Sequence, residues 1–318
     1  MTKIAILGFG VVGAGTYEVI EKNAEDIKRK CGEPIKVKRV LDVRDFHDHP
    51  AQAILTTNFD DILHDDEISI IVESIGGIWP AYEHTKAALA AGKSVVTSNK
   101  ELVAQHGEKL LELAAQHNAR YLYEASVGGG IPIIRPLEHC LAANKITEIF
   151  GILNGTTNYI LTKMLHEGES FDDALAAAQA KGYAESNPTA DVEGYDTCRK
   201  IAILAALAFG KHVPSAEIPT EGITKVTLAD MQKAEEKGCV IKLIGHAKLE
   251  ENGEITCKVA PMPIPKESPL SSVNDVFNAI MVTGDSVGDV MFYGRGAGAL
   301  PTASAIVGDI IDIIRRKK

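Results

Sequence analysis

The N-terminal glycines have the spacing of a turn that binds a dinucleotide. Gly8, Gly10 and Gly13 form a G-x-G-x-x-G motif directly after the apolar run 3–7 and before a helical pattern. The first glycine permits a tight turn, the second lets backbone N–H groups approach a pyrophosphate, and the third lets the helix pack closely on the strand. The motif predicts a dinucleotide site formed by Gly8, Phe9, Gly10, Val11, Val12 and Gly13; a purely structural glycine turn is the alternative.

The end of the second apolar run leaves the choice of dinucleotide open. Asp42 could accept hydrogen bonds from a ribose 2′-hydroxyl, whereas Arg44, two residues later, could pair with a 2′-phosphate. Either residue could also be a solvated charge at a strand end. We favour NADP(H) because of Arg44, with NAD(H) as the alternative.

Two further segments follow predicted strands. Lys100 lies after the fourth strand, at the edge where open α/β sheets bind ligands, and a cation is disfavoured near a helix N-terminus unless it has another role. The fifth strand leads into three successive glycines at 128–130, which indicate close approach by a ligand, an ion or another chain. Exposed carbonyls there could hold a hard monovalent cation; a flexible hinge is the alternative.

A cluster of charges precedes the apolar run Ile201–Phe209. Asp196 and Lys200 are at positions i and i+4, so a routine surface ion pair is the simplest interpretation. The loop before them adds the carboxylates Glu185, Asp191 and Glu193. So many acids around one lysine favour a site for a substrate ammonium group. A divalent cation is the alternative, although the spacing matches no known metal loop.

The elements that position these residues alternate between strand and helix over the first 130 residues. The predicted strands are Lys3–Leu7, Ile35–Leu41, Ile68–Glu73, Ser94–Thr97 and Arg120–Tyr123, and the predicted helices cover residues 11–30, Pro80–Ala91 and Lys100–Asn118. This alternation predicts an α/β fold with a doubly wound, Rossmann-type parallel sheet in residues 1–130.

The pattern changes near Ile131 to that of a second, α+β domain over residues 131–293. A strand is predicted at Lys145–Ile152, with helices at Asn158–His166 and Phe171–Lys181. Two strand-like runs within Cys239–Val259 are joined through Asn252-Gly253, a strong hairpin signal. The last segment, 294–318, ends in a predicted helix.

Composition narrows the class of partner. The formal net charge of -10 comes without a long basic run, so nucleic acid and anionic membranes are not expected partners. No signal-peptide pattern or bilayer-spanning apolar stretch is present, which predicts a cytoplasmic protein with a small-molecule substrate. The five cysteines show no paired or zinc spacing and are expected to be reduced.

Six ordered motifs resemble the homoserine dehydrogenase family. They are GFGVVG at 8–13, TSNKELVA at 97–104, EASVGGGIPII at 124–134, GILNGTTNYIL at 151–161, GYAE with GYDTCRK at 182–185 and 194–200, and GRGAGALPTA at 294–303. The resemblance implies NAD(P)-linked interconversion of L-homoserine and L-aspartate 4-semialdehyde in threonine, methionine and isoleucine biosynthesis. It also implies a homodimer or homotetramer, a short form without a C-terminal regulatory domain, and a final segment that returns to the dinucleotide-binding domain.

The resemblance assigns roles to individual residues. Lys200 would be the proton donor or acceptor, with Lys100 and Asp196 also catalytic and with Glu185, Asp196 and Lys100 binding substrate. Cofactor contacts would come from the glycine turn and from Arg44, Ser74, Ile75, Lys100 and Gly298. A sodium ion would be held by backbone carbonyls of Glu124, Val127, Gly129 and Ile131.

Two other functions share part of this pattern. Aspartate-semialdehyde dehydrogenase shares the aldehyde but needs a thiolate nucleophile. Cys140 and Cys198 both lie in predicted helices, where such a thiol is not expected. A nucleotide-sensing protein that has lost catalysis would not need Lys100, Glu185, Asp196 and Lys200.

Overall fold

The structure, a computed structural model, describes residues 1–316. The strands are β1 (Thr2–Leu7), β2 (Ile35–Leu41), β3 (Leu55–Thr56), β4 (Ile68–Glu73), β5 (Ser94–Thr97), β6 (Tyr121–Leu122), β7 (Ile146–Ile152), β8 (Cys239–Leu249), β9 (Ile255–Pro265), β10 (Phe277–Gly284) and β11 (Gly288–Arg295). The helices are α1 (Val11–Lys22), α2 (Ala24–Cys31), α3 (Asp60–Leu63), α4 (Ala81–Ala90), α5 (Lys100–Gln116), α6 (Gly155–Glu167), α7 (Phe171–Ala180), α8 (Thr189–Val192), α9 (Tyr195–Phe209), α10 (Leu228–Glu236) and α11 (Ala299–Arg315).

The chain forms two compact units. The first contains Met1–Gly130 and the described residues from Gly298 on, and the second contains Ile131–Ala297. Residues 294–297 lie in the second unit rather than in the final segment to which the sequence assigned them. The reason is that Gly294 and Arg295 complete β11, which pairs with β10.

The first unit is built on a parallel sheet of six strands in the order β3-β2-β1-β4-β5-β6. Leu7 lies beside both Leu41 and Glu73, and Glu73 lies beside Thr97, so four strands end in one row. The chain reverses its direction of winding between β1 and β4, which is where doubly wound sheets bind ligands. The Rossmann-type fold predicted for this part of the chain is confirmed.

The C-terminal helix packs within the first unit against α1 and α2. The contact with α1 is close: a Cβ added at Gly15 would lie 3.0 Å from the carbonyl oxygen of Ala299. The buried face of α11 includes Ile306, Ile310 and Ile313, which join the isoleucines and valines of β1, β2 and β4 in one apolar core. The core of the first unit therefore contains residues from both ends of the described chain.

The second unit contains an antiparallel sheet of five strands in the order β11-β10-β7-β8-β9. Helix α9 packs on β8, where Gly245 leaves room for it: a Cβ there would lie 3.1 Å from side-chain atoms of both Ile201 and Thr197. Helix α6 also packs on β8 and on β10. The predicted α+β class and the hairpin through Asn252 and Gly253 are confirmed.

Two predicted boundaries were wrong. The helix predicted over residues 11–30 is two helices separated at Asn23. Helix α6 begins at Gly155 rather than Asn158, because the Asn154 side chain accepts from the Thr157 amide as an N-cap. Helix α9 begins at Tyr195, so Asp196 and Lys200 both lie in this helix. The hairpin of β10 and β11 was not predicted.

Candidate active site

The glycine turn joins the ends of β1 and β4. Gly8 has a φ of +84°, and a Cβ there would lie 2.7 Å from the carbonyl oxygen of Ser74, so only glycine fits. The Ser74 amide donates to Leu7 O over 2.8 Å, and its hydroxyl donates to Gly8 O over 2.8 Å. These bonds fix Ser74 and the turn to each other at the point where the sheet changes winding direction.

The other two glycines leave room for close approach. A Cβ at Gly13 would lie 2.0 Å from Gly8 O, so the helix packs directly on the turn. At Gly10 the nearest neighbour of an added Cβ is Arg44 Nη2 at 3.9 Å, and no side chain caps the first-turn N–H groups of α1. An uncapped helix start with open space above it fits a pyrophosphate.

Asp42 and Arg44 interact with each other and with this turn. The Asp42 carboxylate accepts from the Phe9 amide over 2.6 Å and from Arg44 Nε and Nη2, each over 2.9 Å. The Arg44 guanidinium lowers the pKa of Asp42 to about 2, so the carboxylate is ionised at neutral pH. The Arg44 side chain remains 59% exposed, while that of Asp42 is 6% exposed. Arg44 is therefore the more accessible of the two residues that could distinguish NADP(H) from NAD(H).

A buried carboxylate orders the segment after β4, which sequence reasoning missed. Glu73 is fully buried and accepts from the Ile75 amide over 2.8 Å and from the Thr97 hydroxyl over 2.6 Å. Asn99 continues the link by donating to Gly77 O over 2.6 Å. Burial raises the pKa of Glu73. An acid at the end of an otherwise apolar central strand was the available signal.

Lys100 and Gly298 begin helices of the first unit. Lys100 is half-buried in the first turn of α5, directly after the N-cap Asn99, whose side chain accepts from the Leu102 amide. Gly298 precedes α11 with a φ of +127°. The α11 helix contacts α1, which follows the glycine turn.

The triglycine segment is anchored by the C-terminal helix. Asp309, buried on α11, accepts from the Glu124 amide over 2.9 Å. Gly128 and Gly129 have left-handed backbones with φ of +75° and +55°. Val127, like Glu124, is buried. Ile131 is the first residue of the second unit.

Lys200 is buried within the second unit. Its Nζ donates to Leu153 O over 2.7 Å and to Asp196 Oδ2 over 2.7 Å, and the side chain is 9% exposed. Leu153 follows β7, and Asp196 lies one turn earlier on α9. The surface ion pair that sequence spacing alone favoured is wrong, because both partners are buried.

Asn154 links this pair to a second acid. Its Nδ2 donates to Asp196 Oδ2 over 2.9 Å and to Asp191 Oδ1 over 2.7 Å. Its Oδ1 accepts from the Thr157 amide, which caps α6. Asn154 lies within the GILNGTTNYIL motif, which alone predicted no role for it; the available signal was an asparagine between a strand and a helix.

Such an arrangement can move a proton. A buried lysine paired with a carboxylate and a carbonyl is oriented, and its amine can exchange a proton with a bound hydroxyl or carbonyl group. Glu185 is exposed, and its backbone carbonyl accepts from Gln179. Within residues 1–316, no group of three or more histidine, cysteine or acidic residues is arranged to hold a metal ion.

Two cysteines of the second unit, Cys198 and Cys257, have thiols with a raised pKa. Burial raises the pKa of Cys198, and burial also raises that of Cys257 to about 11. A raised pKa keeps a thiol protonated and unreactive. None of the five cysteines forms a disulfide.

Two family models match the two parts of this chain. The model for the homoserine dehydrogenase NAD-binding domain matches residues 8–124, and the homoserine dehydrogenase model matches residues 132–311. The chain belongs to the homoserine dehydrogenase family. It is therefore an NAD(P)-dependent oxidoreductase, as the glycine turn and the buried lysine suggested.

Homoserine dehydrogenases of other organisms are similar to this chain over nearly its whole length. Homoserine dehydrogenase of Synechocystis is 47% identical over 98% of this chain and 73% of its own length, and that of Bacillus subtilis is 39% identical over 99% and 73%. The crystal structure of a homoserine dehydrogenase from Thiobacillus denitrificans has a TM-score of 0.95 at 45% identity, covering 99% of this chain and 74% of its own.

A second solved structure carries a cofactor. A hyperthermophilic archaeal homoserine dehydrogenase in complex with NADPH has a TM-score of 0.82 at 30% identity, covering 98% of this chain and 97% of its own. Within residues 1–316, no helix has both the length and the apolar character that crossing a membrane requires.

Proposed function

We propose that Lys200 is the residue that takes a proton from the substrate hydroxyl during oxidation and returns it during reduction. The observation that carries this proposal is the fixed position of Nζ between Leu153 O and Asp196 Oδ2. A neighbouring cation also stabilises the developing negative charge on the substrate oxygen. When bound, the nicotinamide supplies hydride exchange with the substrate carbon.

The substrate of the reaction is homoserine, and the acids near Lys200 would bind its ammonium group. Asp196 is already oriented by Asn154, and Asp191 meets the same asparagine. Glu185 and Lys100 complete the proposed substrate contacts, on the basis of the family resemblance. In the biosynthetic direction L-aspartate 4-semialdehyde is reduced to homoserine, and homoserine is the compound from which threonine, methionine and isoleucine synthesis would draw.

The cofactor is proposed to be NADP(H) in preference to NAD(H). Gly8 to Gly13, with Ser74, Ile75, Lys100 and Gly298, would hold the dinucleotide, and the open space above Gly10 supports this. Asp42 is engaged by Phe9 and Arg44, so it is poorly placed to serve a ribose hydroxyl. Arg44 uses Nε and Nη2 for Asp42, and Nη1 of this side chain, which is 59% exposed, would donate to a 2′-phosphate.

A sodium ion is proposed at the triglycine segment. The donors would be carbonyl oxygens of Glu124, Val127 and Gly129, and hard cations prefer oxygen ligands. Asp309 supports the proposal by fixing the Glu124 amide. The fourth donor, Ile131, rests on the family resemblance. Activity measured with sodium and then with potassium at equal ionic strength tests the ion; equal rates without either ion would contradict it.

A homodimer is proposed through one face of the second sheet. Met291, Met281, Phe150 and His246 form one row across four strands. Met291 is 38% exposed, the other three are partly exposed, and Phe150 stacks on His246 at 4.4 Å. The three apolar side chains of this row, Met291, Met281 and Phe150, suit burial against a second copy. Light scattering on the wild type and on Met281→Glu tests this, and a monomeric wild type would contradict it.

We also propose a cytoplasmic location. None of the five cysteines forms a disulfide, which is consistent with a reducing compartment. Thiol alkylation under native conditions tests the accompanying expectation that no cysteine takes part in catalysis. Activity should survive, whereas rapid inactivation would favour a thiol mechanism.

A further inference from the structure

A second lysine is buried in the second unit, apart from the proposed catalytic one. Lys242 lies on β8 and is 1% exposed. Its Nζ donates to Asn158 Oδ1 over 3.2 Å, to Asn274 Oδ1 over 3.0 Å and to the carbonyl oxygen of Val273. All three acceptors are neutral oxygens, so no carboxylate is bonded to this ammonium.

The acceptors belong to two different parts of the fold. Asn158 lies on α6, and its Nδ2 donates to the carbonyl oxygens of Val273, Asp275 and Phe277 at 3.0–3.1 Å. Its own carbonyl accepts from the Thr162 hydroxyl, which in turn accepts from the Asp275 amide. We call residues 273–277, with their bonds to α6, the crossing segment. Lys242 therefore connects the crossing segment to α6 by hydrogen bonds to both.

The same helix carries the start of the Lys200 site. Asn154, the N-cap of α6, is one turn before Asn158 and holds Asp196 and Asp191. The crossing segment also touches this first turn, since a Cβ at Gly155 would lie 2.8 Å from Val276 O. A shift of the crossing segment would therefore move the first turn of α6 and the amide of Asn154.

We propose that Lys242 is a positioning residue for the Lys200 site: it clamps Asn158 to the crossing segment and so fixes the turn from which Asn154 orients Asp196. The inference rests on the proposed role of Lys200. An ammonium suits this task because its three N–H donors match three oxygens that no apolar side chain could bind. Leaving those oxygens buried and unpaired would be costly, which keeps the segment in register.

The test compares Lys242→Met with Lys248→Met. Lys248 is on the same strand, its side chain is 45% exposed, and it pairs with Glu250, so it serves as a matched control. Steady-state kcat and KM for homoserine, the pH profile of kcat/KM, and NADPH affinity by fluorescence titration are measured on the full chain. Circular dichroism establishes that each variant is folded.

We expect Lys242→Met to lower kcat by about tenfold or more, because a misplaced site of this kind loses near-attack geometry. The pH profile of kcat/KM should shift relative to wild type, because Asp196 loses the fixed position from which it meets Lys200. NADPH affinity, which depends on the first unit, should stay at the wild-type value, as should every property of Lys248→Met.

Three results overturn the inference. One is a folded Lys242→Met enzyme with wild-type kcat and pH profile. Another is a kcat lowered equally at every pH, which indicates a structural role alone. If Lys242→Met does not fold, Asn274→Ala replaces it, because this variant removes one acceptor of the Lys242 ammonium. An Asn274→Ala enzyme with wild-type kcat and an unchanged pH profile would then overturn the inference. Lys200→Met is measured alongside: if it keeps wild-type kcat, the proposed function fails instead.

Discussion

Asn154 Nδ2 donates to Asp196 Oδ2 over 2.9 Å, and this bond connects the first turn of α6 to the first turn of α9. Lys200 Nζ donates to the same Oδ2 atom over 2.7 Å. One carboxylate oxygen therefore has both a neutral and a charged donor, and neither helix can move without disturbing the lysine. The proposed chemistry depends on this shared atom.

Replacing Asn154 by alanine should lower kcat in addition to lowering the free energy of unfolding. Losing the N-cap should cost about 1 kcal/mol in unfolding free energy, and losing the bond to Asp196 should lower kcat as well. Ser170→Ala is the matched control, because Ser170 caps α7 by accepting from the Asp173 amide. Denaturant unfolding and steady-state kinetics measure both variants; equal kcat in the two would contradict the link.

Replacing Arg44 by alanine should change the preference between cofactors. A charge-assisted hydrogen bond to a phosphate contributes about 1.5–3 kcal/mol, so KM for NADP+ should rise by about tenfold or more. KM for NAD+ should stay the same or fall, because Asp42 loses its partner. Arg29→Ala, on the exposed face of α2, is the control. An equal change in both KM values would mean that Arg44 does not bind the 2′-phosphate.

Replacing Gly13 by alanine should damage the turn, whereas Gly107→Ala should not. Both glycines lie in helices, but a Cβ at Gly13 would lie 2.0 Å from Gly8 O, while one at Gly107 would lie 3.4 Å from Val103 Cγ1. Gly13→Ala should lose about 1–3 kcal/mol and bind NADPH weakly. Gly107→Ala should be neutral or gain up to about 1 kcal/mol. Normal NADPH binding by Gly13→Ala would contradict the assigned close packing.

The difference in unfolding free energy between wild type and Lys242→Met should change with pH in the alkaline range. Burial lowers the pKa of Lys242 to about 8 from 10.5. Between these values the unfolded chain binds more protons than the folded one, so wild-type stability rises with pH relative to the variant. The gain should reach about 1–3 kcal/mol, measured by urea unfolding at pH 7 and pH 10. A difference that is constant or falls with pH would contradict a buried, charged Lys242.

The sequence predicted those parts of the fold that depend on local patterns. The run Lys3–Leu7 with its glycines, the alternation up to residue 130 and the Asn252-Gly253 hairpin each carry their signal within a short stretch. Lys200 and Asp196 could also be chosen, because their spacing on one helix is local. Their burial could not be predicted, because it depends on β7 and β8.

The parts that could not be predicted depend on residues far apart in the chain. Asp309 accepts from Glu124 across 185 positions, and Lys242 meets Asn158 across 84. No pattern within either segment indicates the other. The crossing segment was missed for the same reason, since its register is set by contacts with α6 rather than by its own composition.

The most direct test of the account is homoserine-dependent reduction of NADP+, followed at 340 nm for wild type, Lys200→Met and the Lys248→Met control. Wild type and the control are expected to reduce NADP+. Lys200→Met should lose about 10²–10⁴-fold in kcat, the usual contribution of a general acid or base, with unchanged NADPH affinity. A folded Lys200→Met enzyme with wild-type kcat would contradict the central claim.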